Sequence, residues 1–565
     1  MNDTPTPPAQ PRRAALLASL GLALLVGALY ARTVAFPFLD WDDVTHILRN
    51  RLIVEPGSVA LIDLLLTPNM GYSVPALILT QAALAALSGL DPWLFHLTNV
   101  LTHGAVVTLT FLLAHRLTGR LVAAALAAAL FAAHPLVAEP VAWATGLKDL
   151  LSAALALGAT WSLLTWLDRE PDRPRLPLAA IGLATLAMLT KPQTLPLGLA
   201  WLGMLAAVPA ERRRPLGESA VVALGVGAAL AAMTLIARRV LAFDDVETAQ
   251  GSPLLALGVQ LQHLLWPTDL HPTYLMDRAS TDDPRWLAGL LALPLIGAAL
   301  WFGRRHRAVA LGLGLAVASY LPVSNLIPFN RFIADSYLYL PLAGLAIAAT
   351  GLADTLMERR PDATTAARAA AAVAVAAILG ASWLGWQQTS RWQDHEHLWV
   401  PVTEAWPDQA WPWLTLAQGY RFEGRHPEAV AAYQEAFARG YHPQHLSNVA
   451  VALVQAGDLD QAECVMVEAL RFGPEPGRAR HNLALFLSTH PKRPPQRVTA
   501  AREALRWAAS ARDAGSLRWK PEWVAAIAPL LEGLDDRDPS PPAAPARRGC
   551  PVLKAPRPDP SGGHD

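Results

Sequence analysis

The chain has 565 residues, 46 of them basic and 46 acidic, so its formal net charge is zero. Hydrophobic residues make up 53% of it and charged residues only 16%, with a mean hydropathy of +0.27; a soluble globular chain carries about a quarter charged residues, which argues against a cytosolic enzyme. A neutral balance leaves no electrostatic footprint for nucleic acid, and two cysteines, Cys464 and Cys550, are too few for a disulfide framework or a cysteine-rich metal site. What remains is a polytopic, all-α membrane protein whose apolar character lies almost wholly before residue 386.

A membrane helix needs roughly 20 mainly apolar residues. The first such run, 14–36, follows Arg12 and Arg13, lacks a small-residue cleavage site, and reads as a retained span with a cytoplasmic N-terminus. The later basic clusters are Arg116 with Arg120, 169–175, Arg212 to Arg214, Arg304 to Arg307, and Arg359 with Arg360. Placing each of them in the cytoplasm predicts eleven spans: 14–36, 94–115, 120–133, 149–167, 176–190, 193–208, 216–241, 285–302, 307–322, 337–357 and 366–386. The run 254–266 is too short to cross and reads as an interfacial helix. Only the parity of the basic loops lays 72–89 on the outer surface, within a long first outer loop, 37–93; Arg238 and Arg239 fall on the wrong side of this path. The odd count delivers everything after 386 to the outside.

Beyond a membrane domain of 1–390, the pattern changes to short amphipathic helices with Ala and Gly at fixed offsets. Trp413, Ala417, Tyr420, Gly424, Ala429, Tyr433 and Ala436 fall on the small and large positions of a tetratricopeptide repeat, and Ala450, Leu453, Gly457, Ala462, Met466, Ala469 and Pro474 repeat the series. A looser third unit runs through Asn482, Ala484, Leu487, Ala501, Leu505 and Ala508. Such helix pairs stack into a solenoid with a concave groove, read either as an assembly scaffold or as a peptide-holding surface. The repeat domain is placed at 391–534, and the Pro-, Ala-, Arg- and Asp-rich tail 535–565 reads as disordered.

Ionisable groups beside spans are the informative ones, because a charge left in hydrocarbon costs roughly 2.5–3.5 kcal/mol on insertion scales. Just past the first span stand Asp40, Trp41, Asp42 and Asp43; three carboxylates in four positions repel one another unless a cation or a proton sits among them. They are candidates for a general base or a ligand of a divalent metal, against the plainer reading of a solvated acidic cap. A second group is His134, Glu139, Trp143, Lys148 and Asp149, and a third is Lys191 with Pro192. A fourth is Asn325, Arg331, Asp335, Tyr337 and Tyr339. Each has its own plain alternative: an ion pair, a snorkelling lysine, an interfacial aromatic belt. All four groups nevertheless fall on the predicted outer face, whereas a transporter gathers its ionisable groups near the midplane. The chain lacks Walker-type, Gly-x-Ser-x-Gly and His-Glu-x-x-His motifs, so an activated donor would have to be carried by lipid.

The ordered set FLDWDDVTHILRN (38–50), HPLVAEPVAWATGLKDL (134–150), TKPQTLP (190–196) and LPVSNLIPFNRFIADSYLYLP (321–341), followed by Trp392, Leu398 and Trp399, resembles the tetratricopeptide-repeat O-mannosyltransferases of the membrane GT-C class and their bacterial relatives. The similarity covers roughly 14–510. It implies a GT-C-like bundle of about eleven spans, a first outer loop with juxtamembrane helices, and catalysis on the extracytoplasmic side. Carried across, the family's acidic pair falls on Asp42 and Asp43, one of them the base. Asp149 would orient the acceptor or assist the base, and Lys191, Arg331 and Lys148 would hold the donor phosphate beside His134, Glu139, Asp335 and Tyr337. The chain departs from the family at Leu147 and Ser336, where arginines are usual, and at Tyr72-Ser73-Val74-Pro75, where Tyr-Arg-Pro is common.

The function this implies is transfer of a mannose-like hexose from a polyprenyl-phosphate donor to a protein Ser or Thr hydroxyl, with inversion at the anomeric carbon and with a divalent metal left open. The expected partners are the lipid-linked sugar, membrane lipid, and an acceptor protein held by the repeat groove. The expected location is a multi-pass one, in a bacterial inner membrane. The rivals are a non-catalytic membrane-anchored repeat scaffold for assembly or secretion, a polymerase or ligase acting on lipid-linked glycans, and a transporter.

Overall fold

The computed structural model describes residues 9–55, 57, 73–168, 177–206, 251–326, 331–359, 364–440, 446–472, 486 and 550. Among these the regular structure is entirely helical. The chain divides into two compact units, Met1–Leu398 and Trp399–Asp565.

In the first unit, α1 (Ala9–Tyr30) leads through a tight turn into the acidic segment. Then come α2 (Pro75–Ser88), α3 (Pro92–Thr118), α4 (Leu121–Ala133) and α5 (Leu147–Leu167). They are followed by α6 (Leu178–Thr190), α7 (Leu197–Ala206), α8 (Pro253–Leu265), α9 (Pro284–Gly303) and α10 (Arg307–Tyr320). The unit closes with α11 (Tyr339–Arg359) and α12 (Thr364–Ser390). Local signals set several boundaries. Asp91 accepts a bond from the Trp93 N–H while Pro92 opens α3, and Gly119, at φ +71°, ends it. Ser252 and Asp283 cap α8 and α9 in the same way, again followed by proline.

Among the described residues, six helices are long and apolar enough to cross a membrane: Arg12–Ala35, Pro92–Thr118, Ala144–Leu167, Pro284–Gly303, Asp335–Arg359 and Thr364–Ser390. A seventh is reached if α4 and the segment Pro135–Ala142, bent by 57° at His134, count as one broken span. Of the remaining predicted spans, 176–190 and 307–322 correspond to helices of 13 and 14 residues, each shorter than a bilayer crossing, and the described part of 193–208 contains the helix Leu197–Ala206. Span 216–241 lies outside the described residues. The runs expected not to cross, 72–89 and 254–266, form the short helices α2 and α8.

One apolar core joins α1, α3, α4, α5, α6, α7, α10 and α11, with Tyr30, Phe111, Phe131, Leu157, Leu311 and Tyr339 all fully buried. The approach of α10 to α11 depends on absent side chains: a Cβ on Gly312 would strike the backbone of Gly344 and Ala348, and one on Gly344 would strike that of Gly312 and Ala316. A second, smaller cluster of Phe38, Ile47, Ile53, Leu77, Ile78, Phe95 and Leu147 lies beneath the acidic turn and seats it on α2, α3 and α5.

The helix α13 (His395–Ala405) begins at the end of the first unit. In the second unit, α14 (Ala410–Phe422) and α15 (His426–Ala438) form one helix pair, and α16 (Leu446–Gln455) and α17 (Leu459–Phe472) form the next. The positions singled out by period are buried between them: Ala417, Tyr420, Ala429, Tyr433 and Ala436, then Ala450, Leu453, Ala462, Met466 and Ala469. Gly424 and Gly457, at φ +77° and +82°, make the turns that left-handed backbone requires. The two cysteines form a bridge from Cys464 to Cys550, with Cα atoms 5.7 Å apart. The looser third repeat and the tail lie almost wholly outside the described residues.

Candidate functional site

Four segments that follow or precede long helices meet at one end of the first unit. The first is the turn after α1. Phe38 packs edge-on against Phe95 with ring centres 5.3 Å apart, and Leu39, Val44 and Ile47 are buried, so the polar residues between them are fixed by apolar anchors on both sides. Within this turn the two neighbouring carboxylates part company. Asp43 is buried; its Oδ2 accepts from the Leu39 N–H at 3.0 Å, and its Oδ1 accepts from Thr145 N–H at 2.9 Å and Thr145 Oγ1–H at 2.5 Å. Burial pushes its pKa up to about 6, outweighing the bonds from Leu39 and Thr145, which act the other way. The Asp42 side chain is 36% exposed, with the His46 Nε2 at 3.7 Å.

The second segment runs from α4 to α5. Its His134 accepts from the Leu136 N–H at Nδ1 and reaches the Leu264 carbonyl with Nε2 at 3.1 Å, so both ring nitrogens are occupied by backbone. Asn99 on α3 donates to the carbonyls of Val141 and Trp143 and holds the middle of the segment. Gly146 lies against the Pro140 carbonyl, where a Cβ would collide, and this tight passage delivers Lys148 and Asp149 into the first turn of α5. An aspartate there suits the positive helix end; a lysine does not. Lys148 is instead held over the face of Trp143, its Nζ 3.9 Å from the ring centre. Its ammonium makes no ion pair among the described residues, and its charge interacts with those of Asp149, Asp42, Lys191 and Arg331.

Lys191, in extended backbone at the end of α6, forms a buried ion pair with Asp149 Oδ1. Asp149 Oδ2 has no hydrogen-bond partner among the described residues; Asp149 lines a small cavity with Ser152, Gln193, Thr194, Ser336 and Tyr339. Gln193 spans the neighbouring segments by donating to the carbonyls of Ser319 and Tyr337.

The fourth segment brings Arg331, whose guanidinium forks onto Glu139 at 2.8 and 3.2 Å and also reaches the Pro272 carbonyl. Ser336 adds a third bond to Glu139, to Oε1 at 3.0 Å. The Tyr337 hydroxyl donates to the Arg331 carbonyl at 2.9 Å. Asp335 accepts from the Tyr274 hydroxyl at 2.6 Å with His263 Nδ1 at 3.7 Å, and its charge interacts with those of Glu139 and Arg331.

The expected residues thus fall into three sets. Asp42, Lys148, Asp149, Lys191 and Arg331 share one electrostatic neighbourhood. Glu139, Arg331 and Tyr337 form a bonded network beside it. His134 and Asp335 serve backbone and tyrosine contacts instead. For a divalent metal the fit is poor, because both Asp43 oxygens already accept from protein donors and no group of three His, Cys, Asp or Glu is gathered among the described residues. Thr145, Gln193 and Tyr274 belong to the site and were not singled out by sequence; Thr145 and Gln193 stood within the quoted motifs, Tyr274 outside them, and Ser336 was noted only as a departure from the family. Comparison with family models, with curated proteins and with solved structures finds no match to this chain.

Proposed function

We propose that the chain is a membrane glycosyltransferase that moves a hexose from a polyprenyl-phosphate donor to a Ser or Thr hydroxyl of a protein on the extracytoplasmic side. The observation that carries this reading is the gathering of an accessible carboxylate, Asp42, and an ammonium without an ion-pair partner among the described residues, Lys148, where four helix-flanking segments meet. A transferase that displaces a lipid phosphate needs both a base and a cation at one place.

In this mechanism Asp42 is the base and Asp43 the anchor of its turn. The acceptor oxygen attacks the anomeric carbon as its proton passes to an Asp42 oxygen. The bond from that carbon to the phosphate oxygen breaks, and the phosphate leaves with the electron pair. Lys148 meets the developing anionic charge, with Lys191 and Arg331, each already paired to a carboxylate, supplying a longer-range positive field. A single in-line displacement inverts the anomeric centre. No step is assigned to a metal.

The Cys464–Cys550 bridge supports an oxidising compartment for the second unit. The helix pairs of that unit are read as tetratricopeptide repeats that present the acceptor, and the shorter helices of the first unit as parts of an eleven-span GT-C-like bundle.

A rival draws on the same network: Arg331 with Glu139 and Lys191 with Asp149 are complete ion pairs, as a purely structural membrane anchor for a repeat scaffold would have. Feeding membranes a radiolabelled polyprenyl-phosphate hexose separates the readings. Label in protein supports the proposal, label in glycan indicates a polymerase or ligase, and label that stays with lipid supports the scaffold.

A further inference from the structure

The stretch from the last turn of α12 to the first residue of α13, 388–395, touches two of the four segments that build the site and the connection between α8 and α9. Gln388 and Arg391 both donate to the Leu270 carbonyl, at 3.1 and 2.6 Å, in the connection that carries Pro272 and Tyr274. Trp392, fully buried, stacks on Trp143 with ring centres 5.7 Å apart, and Trp143 is the ring beneath the Lys148 ammonium. His395, also buried, accepts the Asp40 backbone N–H at Nε2 over 2.7 Å, across 355 residues of chain. Asp40 opens the turn that ends in Asp43, whose own side chain closes back on the Leu39 N–H. The acidic turn is therefore pinned at both ends, by Asp43 to Thr145 and by Asp40 to His395, and Asp42 is the carboxylate left between the pins.

We propose that His395 is a positioning residue for the base: its Nε2 lone pair fixes the turn that aims Asp42, while Trp392 fixes the aromatic ring that holds Lys148. The inference rests on the transferase reading for its catalytic consequence, though not for the contact itself. Only an acceptor atom at the Nε2 position can receive the Asp40 N–H. An alanine removes it, and a glutamine, whose amide oxygen extends about as far as Nε2, restores it. His395 is also the first residue of α13, so the pin sits where the chain leaves the first unit for the second.

The test uses the full-length protein in membranes or nanodiscs with two readouts. Amide hydrogen exchange across 37–46 follows the pin directly, because loss of one hydrogen bond of ordinary net strength accelerates exchange about tenfold. Transfer from radiolabelled polyprenyl-phosphate hexose follows its consequence. His395→Ala is expected to exchange the turn about tenfold faster and to lower kcat about tenfold or more, with the donor KM unchanged. His395→Gln is expected to recover most of both. His397→Ala, an exposed neighbour bonded to Asp394, should alter neither. Should His395→Ala fail to accumulate, His395→Asn, whose amide is too short to reach, takes its place.

Unchanged exchange in the Ala or Asn variant overturns the inference whatever the turnover. A raised donor KM with normal kcat, or a Gln variant as impaired as Ala, also overturns it, since a merely structural histidine would give either result. Wild-type protein that moves no label, with the turn still loosened in His395→Ala, overturns the transferase reading and supports the pin.

Discussion

Asp42 and Asp43 are adjacent and carry the same charge, yet their surroundings assign them different work. Asp43 spends both oxygens on Leu39 and Thr145, while Asp42 keeps over a third of its side chain exposed. Asp42→Asn is expected to lower transfer about 100-fold or more, the usual size of a general-base contribution, with no loss of folded protein by size-exclusion chromatography. For Asp43 the consequence is a pH-dependent stability. Burial raises its pKa from 3.8 to about 6, so the folded state holds the proton more tightly than the unfolded one. That contribution is fully present below about pH 4 and is lost as pH rises through 6, amounting to about 3 kcal/mol over the whole window. Thermal unfolding of the wild type, set against Asp43→Asn, should therefore show a relative gain on moving from pH 7.5 to 5; a relative loss would contradict the assignment. None of this was legible in the run Asp40 to Asp43 taken as a string, because the partner that separates the two carboxylates lies 102 residues away.

At the scale of elements, Asp91-Pro92, Ser252-Pro253 and Asp283-Pro284 each open a helix with a capping side chain and a proline, one or two residues before the bounds 94, 254 and 285 read from the apolar runs. Counting membrane crossings is harder, for a physical reason. Runs such as 176–190 are apolar throughout but stop at Lys191-Pro192 after a 13-residue helix, and hydropathy alone does not distinguish a short buried helix from part of a span. The pairings that matter also join elements. The buried Lys191–Asp149 pair ties the end of α6 to the start of α5. Removing one partner strands a charge, so Lys191→Met is expected to cost about 3–5 kcal/mol, whereas Lys191→Met with Asp149→Leu should cost much less; thermal unfolding of the single and double variants measures the difference. Where α10 meets α11 the demand is for space: Gly312→Leu should abolish folded yield, whereas Gly297→Ala on α9, with nothing within 4 Å of the added carbon, should leave it unchanged. Fluorescence-detected gel filtration of the two variants distinguishes these outcomes.

Across the whole molecule, the zero net charge is the sum of distinct populations. Arginines pair at α-helix ends remote from the site, as Arg116 does with Asp168 and Arg120 with Asp354, while carboxylates and lysines gather at the site. The second unit adds a feature that cysteine arithmetic did not suggest, a single long-range bridge over 86 residues of chain. A loop of that length is worth roughly 4–5 kcal/mol in the chain-entropy account. Peptide mapping under non-reducing conditions should recover the Cys464–Cys550 pair, and Cys464→Ser should lower the unfolding temperature of the repeat unit; two free thiols in protein from an oxidising compartment would count against both the bridge and the extracytoplasmic placement.

In the proposed mechanism Asp42 deprotonates an acceptor hydroxyl as a lipid phosphate leaves. It is tested most directly by the initial rate of hexose transfer from a radiolabelled polyprenyl phosphate to protein, measured side by side for the wild type and Asp42→Asn in the same membranes. The expected result is robust labelling by the wild type and a fall of about 100-fold or more in the variant at equal protein level; equal labelling by the two proteins would overturn the assignment of Asp42 as the base.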